Sequence, residues 1–246
     1  MKIKAFFLFL FVSSVFSFAQ DKTYLDINNN VITKRLFKKK VLTNLYTVKE
    51  STSSYILTSN YYFERNSSLY KSLFTTYLKE NDNKEQPSIL IRYQKKLSSL
   101  KELPVCVDDV KNYHKASKLW NKRNKKFVKK LERKNNLKVL YLHSQFNDEV
   151  RFKFDKSSIK DQNKLIEDFI TSLEPNLTFG FLLIRPNGDI FFSKEMVFGI
   201  NDLNKLLKTE NWTDFKNDLK KSQSLGLNLG LFNFSNSYSI RGRLIF

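Results

Sequence analysis

The sequence predicts an α/β fold in which helices flank a mixed sheet, and three stretches carry that prediction. The run LKVLYLH at 137–143 is apolar and has the length of a buried strand. Residues 159–173 space their apolar side chains as one face of a helix does. Residues 179–192 hold two apolar runs around Arg185–Asp189, whose Pro, Asn and Gly favour a tight turn. A further helix is predicted from residue 201 to 207, continuing to 219 after a break near Asn211.

The first 19 residues have the pattern of a cleavable secretory signal peptide. Lys2 and Lys4 flank the start of the chain, the apolar run AFFLFLFVSSVFSF follows, and Ser17-Phe18-Ala19 is a small-x-small cleavage site. The run is shorter than the roughly 20 apolar residues that span a bilayer. Retention as an uncleaved anchor is the alternative. We therefore expect an exported protein, periplasmic or secreted, that begins at Gln20 and has no transmembrane span.

The composition predicts a large apolar core without covalent cross-links. Cys106 is the single cysteine, so no internal disulfide can form, whereas 23 Phe and 11 Tyr supply apolar surface. Without its first 19 residues the chain keeps 227 residues and a net charge of +17, from 41 basic and 24 acidic side chains. An AT-rich genome would also raise the lysine content, so this charge does not by itself indicate a partner.

Strand and helix patterns divide the remaining chain into three parts. Residues 20–103 are predicted to form an α+β lobe, residues 104–224 a second lobe, and residues 225–246 a β tail in which apolar residues alternate. The connection Lys95–Pro104 joins the two lobes. The elements predicted for the first lobe are strands Thr23–Ile27, Leu45–Val48, Tyr55–Phe63 and Ser88–Tyr93, and helices Thr33–Lys40 and Ser67–Leu78.

The longest predicted helix runs from Asp108 to Lys134 and is strongly basic. Between Lys111 and Lys134 it holds eleven Lys or Arg and one acid, Glu132. Such a face fits an anionic surface or an acidic protein, and a merely solvated face is the alternative. Nucleic acid is disfavoured, because the aromatic residues that could stack on bases lie on the apolar seam. The candidate binding residues are Lys118, Lys122, Arg123, Lys125, Lys126, Lys129, Lys130 and Arg133.

The residue types that carry catalysis are scarce. No metal is predicted, because His114 and His143 lie in different elements and neither has a partner four residues away. No cofactor is predicted, because the six glycines are scattered and form no phosphate-binding loop. Cys106 precedes a helix start, where thiol pKa values fall, although its flanking valines favour a buried apolar role. His143 ends a strand, where α/β folds place functional residues. Cys106 and His143 are therefore the candidate reactive residues.

The order strand, helix, strand, hairpin, helix over about Asp108–Leu207 resembles the thioredoxin-like fold. The hairpin Phe179–Phe192 is similar to the hairpins of secreted thioredoxin-like proteins, and TYLDINNNVITKRLF resembles the openings of exported bacterial proteins. Thioredoxin chemistry needs two thiols in C-x-x-C, and the loop after His143 has no cysteine. Pro175 stands four residues before Phe179, and not directly before that strand as in the family. The resemblance thus implies a lobe that has lost its redox activity, and no catalytic residue is carried over.

Together these features predict an exported, non-catalytic binding module with a basic helical face. The alternative hypothesis is an enzyme, with thiol or hydrolase chemistry at a site around Cys106 or His143.

Overall fold

A computed structural model divides the chain into two compact units, which meet in sequence between Ser59 and Asn60. Each unit combines a sheet with helices, and each sheet is mixed, so the predicted α/β class is confirmed. No helix among the described residues is long and apolar enough to cross a membrane. The predicted signal peptide lies outside those residues. The structure describes residues 22–43, 45–78, 85–96, 122, 125–126, 128–145, 158–175, 177–194, 200–210 and 212–227.

Unit 1 is a three-stranded sheet with one helix beside it. Its elements are β1 (Thr23–Leu25), α1 (Lys34–Val41), β2 (Tyr46–Glu50) and β3 (Ser54–Ser59). The central strand β3 pairs parallel to β1 and antiparallel to β2. Thr33 caps α1 by accepting the Leu36 N–H, as the sequence predicts. The ring of Phe37 packs between Tyr24 and Tyr55, which fixes α1 on the sheet.

Unit 2 is organised around a six-stranded sheet of order β4-β9-β8-β5-β6-β7. Strands β5, β6 and β7 are parallel to one another, and β5–β8, β8–β9 and β9–β4 are antiparallel. The strands are β4 (Tyr61–Arg65), β5 (Ser88–Lys96), β6 (Leu137–Gln145), β7 (Ile159–Lys160), β8 (Phe179–Ile184) and β9 (Asp189–Ser193). Because β5 and β8 are central, their apolar residues are buried on both faces of the sheet.

Helices cover the two faces of this sheet. They are α2 (Ser67–Tyr77), α3 (128–135), α4 (Leu165–Leu173), α5 (Ile200–Lys208) and α6 (Thr213–Leu225). One face packs against Leu73 of α2 and Ile170 of α4. On the opposite face the ring of Phe63 contacts Trp212 and Phe215, which fixes the start of α6.

The hairpin predicted at 179–192 is confirmed as β8 and β9. Gly188 has φ +86° in the turn, and a Cβ there would lie 2.7 Å from the Ser67 backbone. Only glycine fits this position, because both the backbone conformation and the close approach of α2 exclude a side chain. The break near Asn211 is also confirmed, since α5 ends at Lys208 and α6 begins at Thr213.

Three predicted boundaries differ from the structure. The predicted strand Tyr55–Phe63 is divided at Asn60, and its halves belong to different sheets. The helix predicted over 159–173 begins only at Leu165, because Ile159–Lys160 pairs with β6 instead. The tail strand predicted from Leu225 does not begin there, because Leu225 ends α6 before the left-handed Gly226. Residues 228–246 lie outside the described residues.

The lobe boundary also differs from the predicted one. Strands β4 and β5 were assigned to a lobe of residues 20–103, but both lie in the sheet of unit 2. The structure therefore divides the chain at Ser59, and not at residue 104, because β5 pairs with both β6 and β8.

Candidate functional site

The basic face consists of Lys122, Lys125, Lys126, Lys129, Lys130 and Arg133. All six residues are helical and exposed. Lys129, Lys130 and Arg133 belong to α3, and at 1.5 Å per residue they extend over about 6 Å of that helix. The seam beneath them is apolar, with Leu131 only 4% exposed. Lys118 and Arg123, the other two candidates, lie outside the described residues.

The acidic residue of this helix is turned away from the basic face. The Glu132 carboxylate lies 3.5 Å from the Lys138 ammonium and accepts the Val139 N–H at 3.0 Å. It therefore holds the helix against the start of β6. Its negative charge is engaged there, so it does little to neutralise the exposed cations.

A second candidate region is the polar edge, the side chains at the carboxyl ends of β5 and β6. Its members are Tyr93, His143 and Ser144, together with Ser158 and Asp161, which flank β7. Their hydrogen bonds connect strands that are far apart in sequence: Tyr93 and Ser144 lie 2.8 Å apart between their hydroxyl oxygens. Carboxyl ends of parallel strands are where open α/β sheets place functional residues.

His143 is the candidate reactive residue that the structure describes in this region. Its ring Nδ1 lies 2.8 Å from the Ser158 hydroxyl, and its carbonyl accepts the Asp161 N–H at 2.7 Å. A histidine nitrogen within hydrogen-bond reach of a serine hydroxyl satisfies the distance criterion for a base and a nucleophile. However, His143 is only 5% exposed, which is equally typical of a histidine that fixes a strand end.

Asp161 stabilises the start of α4. Its carboxylate accepts the N–H groups of Ile166 at 3.1 Å and Glu167 at 2.9 Å. The intervening Asn163 and Lys164 have φ of +56° and +55°, and this left-handed turn brings the helix back to the carboxylate. Burial raises the pKa of Asp161, against the lowering effect of these backbone hydrogen bonds. The position thus combines a cap with a desolvated carboxyl.

The tyrosines of this region are held in the neutral form. Burial raises the pKa of Tyr93 to about 12, partly offset by its hydrogen bond to Ser144. Burial likewise raises the pKa of Tyr77, whose hydroxyl accepts the Gln162 N–H at 2.7 Å. At neutral pH these hydroxyls are therefore hydrogen-bonding groups and do not serve as anionic bases.

Near the same edge, Glu174 joins a buried cluster that sequence reasoning missed. Its carboxylate pairs with the Lys194 ammonium and accepts the Tyr62 hydroxyl at 3.3 Å. The Lys194 side chain is 5% exposed and lies over the Tyr62 ring. Burial, reinforced by the Glu174 charge, raises the pKa of Tyr62. These three residues close the end of the sheet and act as a structural unit.

A single sequence gives little sign of these contacts. Ser158 follows His143 by fifteen residues and Lys194 follows Glu174 by twenty, so neither pair forms a local motif. The sequence indicates these residues as candidates only by their position. His143, Ser144 and Lys194 come at or directly after the ends of apolar runs.

The described residues contain no group of three His, Cys, Asp or Glu side chains that could hold a metal ion. Cys106 lies outside these residues. Comparison of the chain with protein-family profiles, curated proteins and solved structures found no match.

Proposed function

We propose that this protein is a non-catalytic binding module whose basic face docks on an anionic surface. The observation that carries the proposal is that all six cations of the basic face are helical and exposed, while the Glu132 carboxylate is paired with Lys138. Each cation near an anionic surface contributes about 1 kcal/mol at moderate salt. Exposed ammonium groups lose little hydration on such contact, so most of this attraction is available for binding.

Charge reversal on the basic face tests the proposal. Changing Lys125, Lys126, Lys129 and Lys130 to Glu should strongly reduce retention on immobilised heparin at low salt. The wild type should be retained and should elute as the salt concentration rises, because salt screens exposed charges.

A matched variant controls for net charge. Lys208, Lys216, Lys220 and Lys221 are also exposed helical lysines, on α5 and α6. Their reversal changes the total charge equally, and this variant should keep most of the wild-type retention. Equal retention of both variants would contradict the role of the basic face.

The thioredoxin-like relationship is a further part of this proposal. It is supported by two findings: β6, which contains His143, lies in the same sheet as the β8–β9 hairpin, and a strand parallel to it, β5, lies between them. With Cys106 as the single thiol, a two-cysteine redox cycle is impossible within one chain. We accordingly propose a thioredoxin-like unit without redox activity.

We also propose that the protein is exported, because residues 1–19 have the pattern of a signal peptide. Sequencing the N-terminus of the mature protein, which should begin at Gln20, tests this.

The enzyme alternative is favoured by one observation, the 2.8 Å contact between His143 and Ser158. A hydrolase using this pair should release p-nitrophenol from p-nitrophenyl acetate above background. Ser158→Ala should remove that activity, whereas Ser172→Ala, at an exposed serine of α4, should not.

The thiol version is tested by alkylation. A Cys106 that resists iodoacetamide until the protein is denatured would rule out thiol chemistry.

A further inference from the structure

Unit 1 carries an excess of positive charge that is independent of the basic face. Residues 22–59 contain seven basic side chains and only two carboxylates, Asp26 and Glu50. Asp26 accepts N–H groups of its own loop, from Asn28 and Asn30, and Glu50 pairs with Lys22. Five of the seven cations lie on α1, and the charge of one of them, Lys40, helps to lower the pKa of Asp26.

Two of the five cations of α1 serve the fold. The Lys34 ammonium lies 5.9 Å from the centre of the Tyr24 ring, and the buried Lys40 lies 5.7 Å from the Tyr46 ring. Arg35, Lys38 and Lys39 are exposed. Lys34 is exposed as well, but its ammonium lies over the Tyr24 ring, so these three residues are the exposed cations of α1 that contact no aromatic ring among the described residues.

An apolar side chain projects at the C-terminal end of this cationic face. Leu42 is 83% exposed and keeps a right-handed helical conformation at the end of α1. It follows Lys39 by three residues, Lys38 by four and Arg35 by seven, the spacings that place side chains on one helix face. Val31, just before the helix, is 74% exposed. This end of α1 therefore presents exposed apolar side chain and exposed cations together.

We propose that α1 docks unit 1 on an anionic phospholipid bilayer, with Leu42 inserted at the headgroup boundary and Arg35, Lys38 and Lys39 on the lipid phosphates. Interfacial helices combine basic residues with apolar side chains in this way, and their binding depends on both. A soluble polyanion would satisfy the cations but would leave Leu42 in water. The apolar residue is therefore what distinguishes a bilayer from a soluble polyanion.

The experiment measures partition of the full chain onto vesicles of phosphatidylcholine with about 30% phosphatidylglycerol, against vesicles of phosphatidylcholine alone. Arg35→Gln/Lys38→Gln/Lys39→Gln should lower partition onto the anionic vesicles about 100-fold, from about fivefold per cation. The matched control Lys216→Gln/Lys220→Gln/Lys221→Gln removes the same charge from α6. It should lower partition no more than a few-fold.

Leu42→Ser is the decisive variant. It should weaken binding to anionic vesicles about tenfold, because the inserted side chain no longer leaves water, and should not change retention on heparin. Since Leu42 is exposed, the thermal midpoint should match the wild type, which excludes unfolding as the cause. Vesicle binding unchanged by Leu42→Ser would overturn the proposal, as would equal partition of the two triple variants. Leu42→Ser should also be combined with the four-lysine reversal on the basic face. In that background it should still weaken vesicle binding about tenfold, even if heparin retention is lost.

Discussion

Glu174→Gln is expected to destabilise unit 2 strongly. The change keeps the shape of the side chain but removes the carboxylate charge that faces the Lys194 ammonium. Breaking a buried ion pair by removing one partner costs about 3–5 kcal/mol. Because the Glu174 side chain is 20% exposed, we expect a loss at the lower end of this range, about 3 kcal/mol. For a unit of this size that corresponds to a fall of about 6–12 °C in Tm.

Urea denaturation at pH 7, followed by circular dichroism, measures the effect. Glu64→Gln is the control, because Glu64 is exposed on β4 and its loss should change the free energy of unfolding by less than about 0.5 kcal/mol. The double variant Glu174→Gln/Lys194→Met removes both charges. It should recover most of the loss, since apolar replacement of a buried pair is close to neutral.

Two results would refute this account of the cluster. A loss below about 1 kcal/mol for Glu174→Gln would mean that the pair behaves as a surface ion pair. A double variant no more stable than the single one would mean that the cost arises from packing and not from charge.

Three further changes test the fold of unit 2. Gly180→Ala should lower the free energy of unfolding, measured by urea denaturation, by about 1–3 kcal/mol. The reason is that a Cβ there would lie 2.8 Å from Phe192 Cζ and closer still to Cε2. Adding Phe192→Leu should recover part of the loss. Burial raises the pKa of Asp161, so folding favours its protonated form. The wild type should therefore lose stability relative to Asp161→Asn as the pH rises above about 4. A difference in stability that does not change with pH would contradict this. The Arg185 guanidinium donates to carbonyls at and just after the end of α5 and lies 4.2 Å from the Trp212 ring centre. Arg185→Met should therefore lower the free energy of unfolding by about 3 kcal/mol and make α5 easier to cleave by a protease. An unchanged rate of proteolysis in α5 would contradict that role.

The elements that sequence predicted well have local causes. The β8–β9 hairpin was predictable because its turn residues and the apolar runs beside them are contiguous. The helix α2 was predictable because its apolar stripe and its polar start lie within about ten residues. The basic face was predictable for the same reason, since charge spacing on one helix needs no knowledge of the rest of the fold.

The elements that sequence missed depend on distant partners. Ile159–Lys160 carries the apolar residue that a helix would also use, and only pairing with β6 makes it a strand. The stretch Tyr55–Phe63 looks continuous, yet β3 and β4 pair with different neighbours. Local propensity cannot distinguish these outcomes, because strand pairing is decided by packing against residues far along the chain.

The polar edge shows the same division. His143 was a candidate because of its position at a strand end, but Ser158 and Asp161 gave no sequence signal. Their contacts arise because β6 and β7 are parallel and the chain between them returns to the same end of the sheet.

The amino-acid sequence by itself determined the charge of this protein, its single thiol, the absence of a two-cysteine redox pair and the basic face, because these follow from composition and from spacing within one helix. Tertiary structure alone decided that Glu174 meets Lys194 beside Tyr62, that β4 and β5 join the second unit, and that Leu42 projects among cations. The physical reason is that burial and register are properties of the assembled sheet, to which residues separated by more than a hundred positions contribute together.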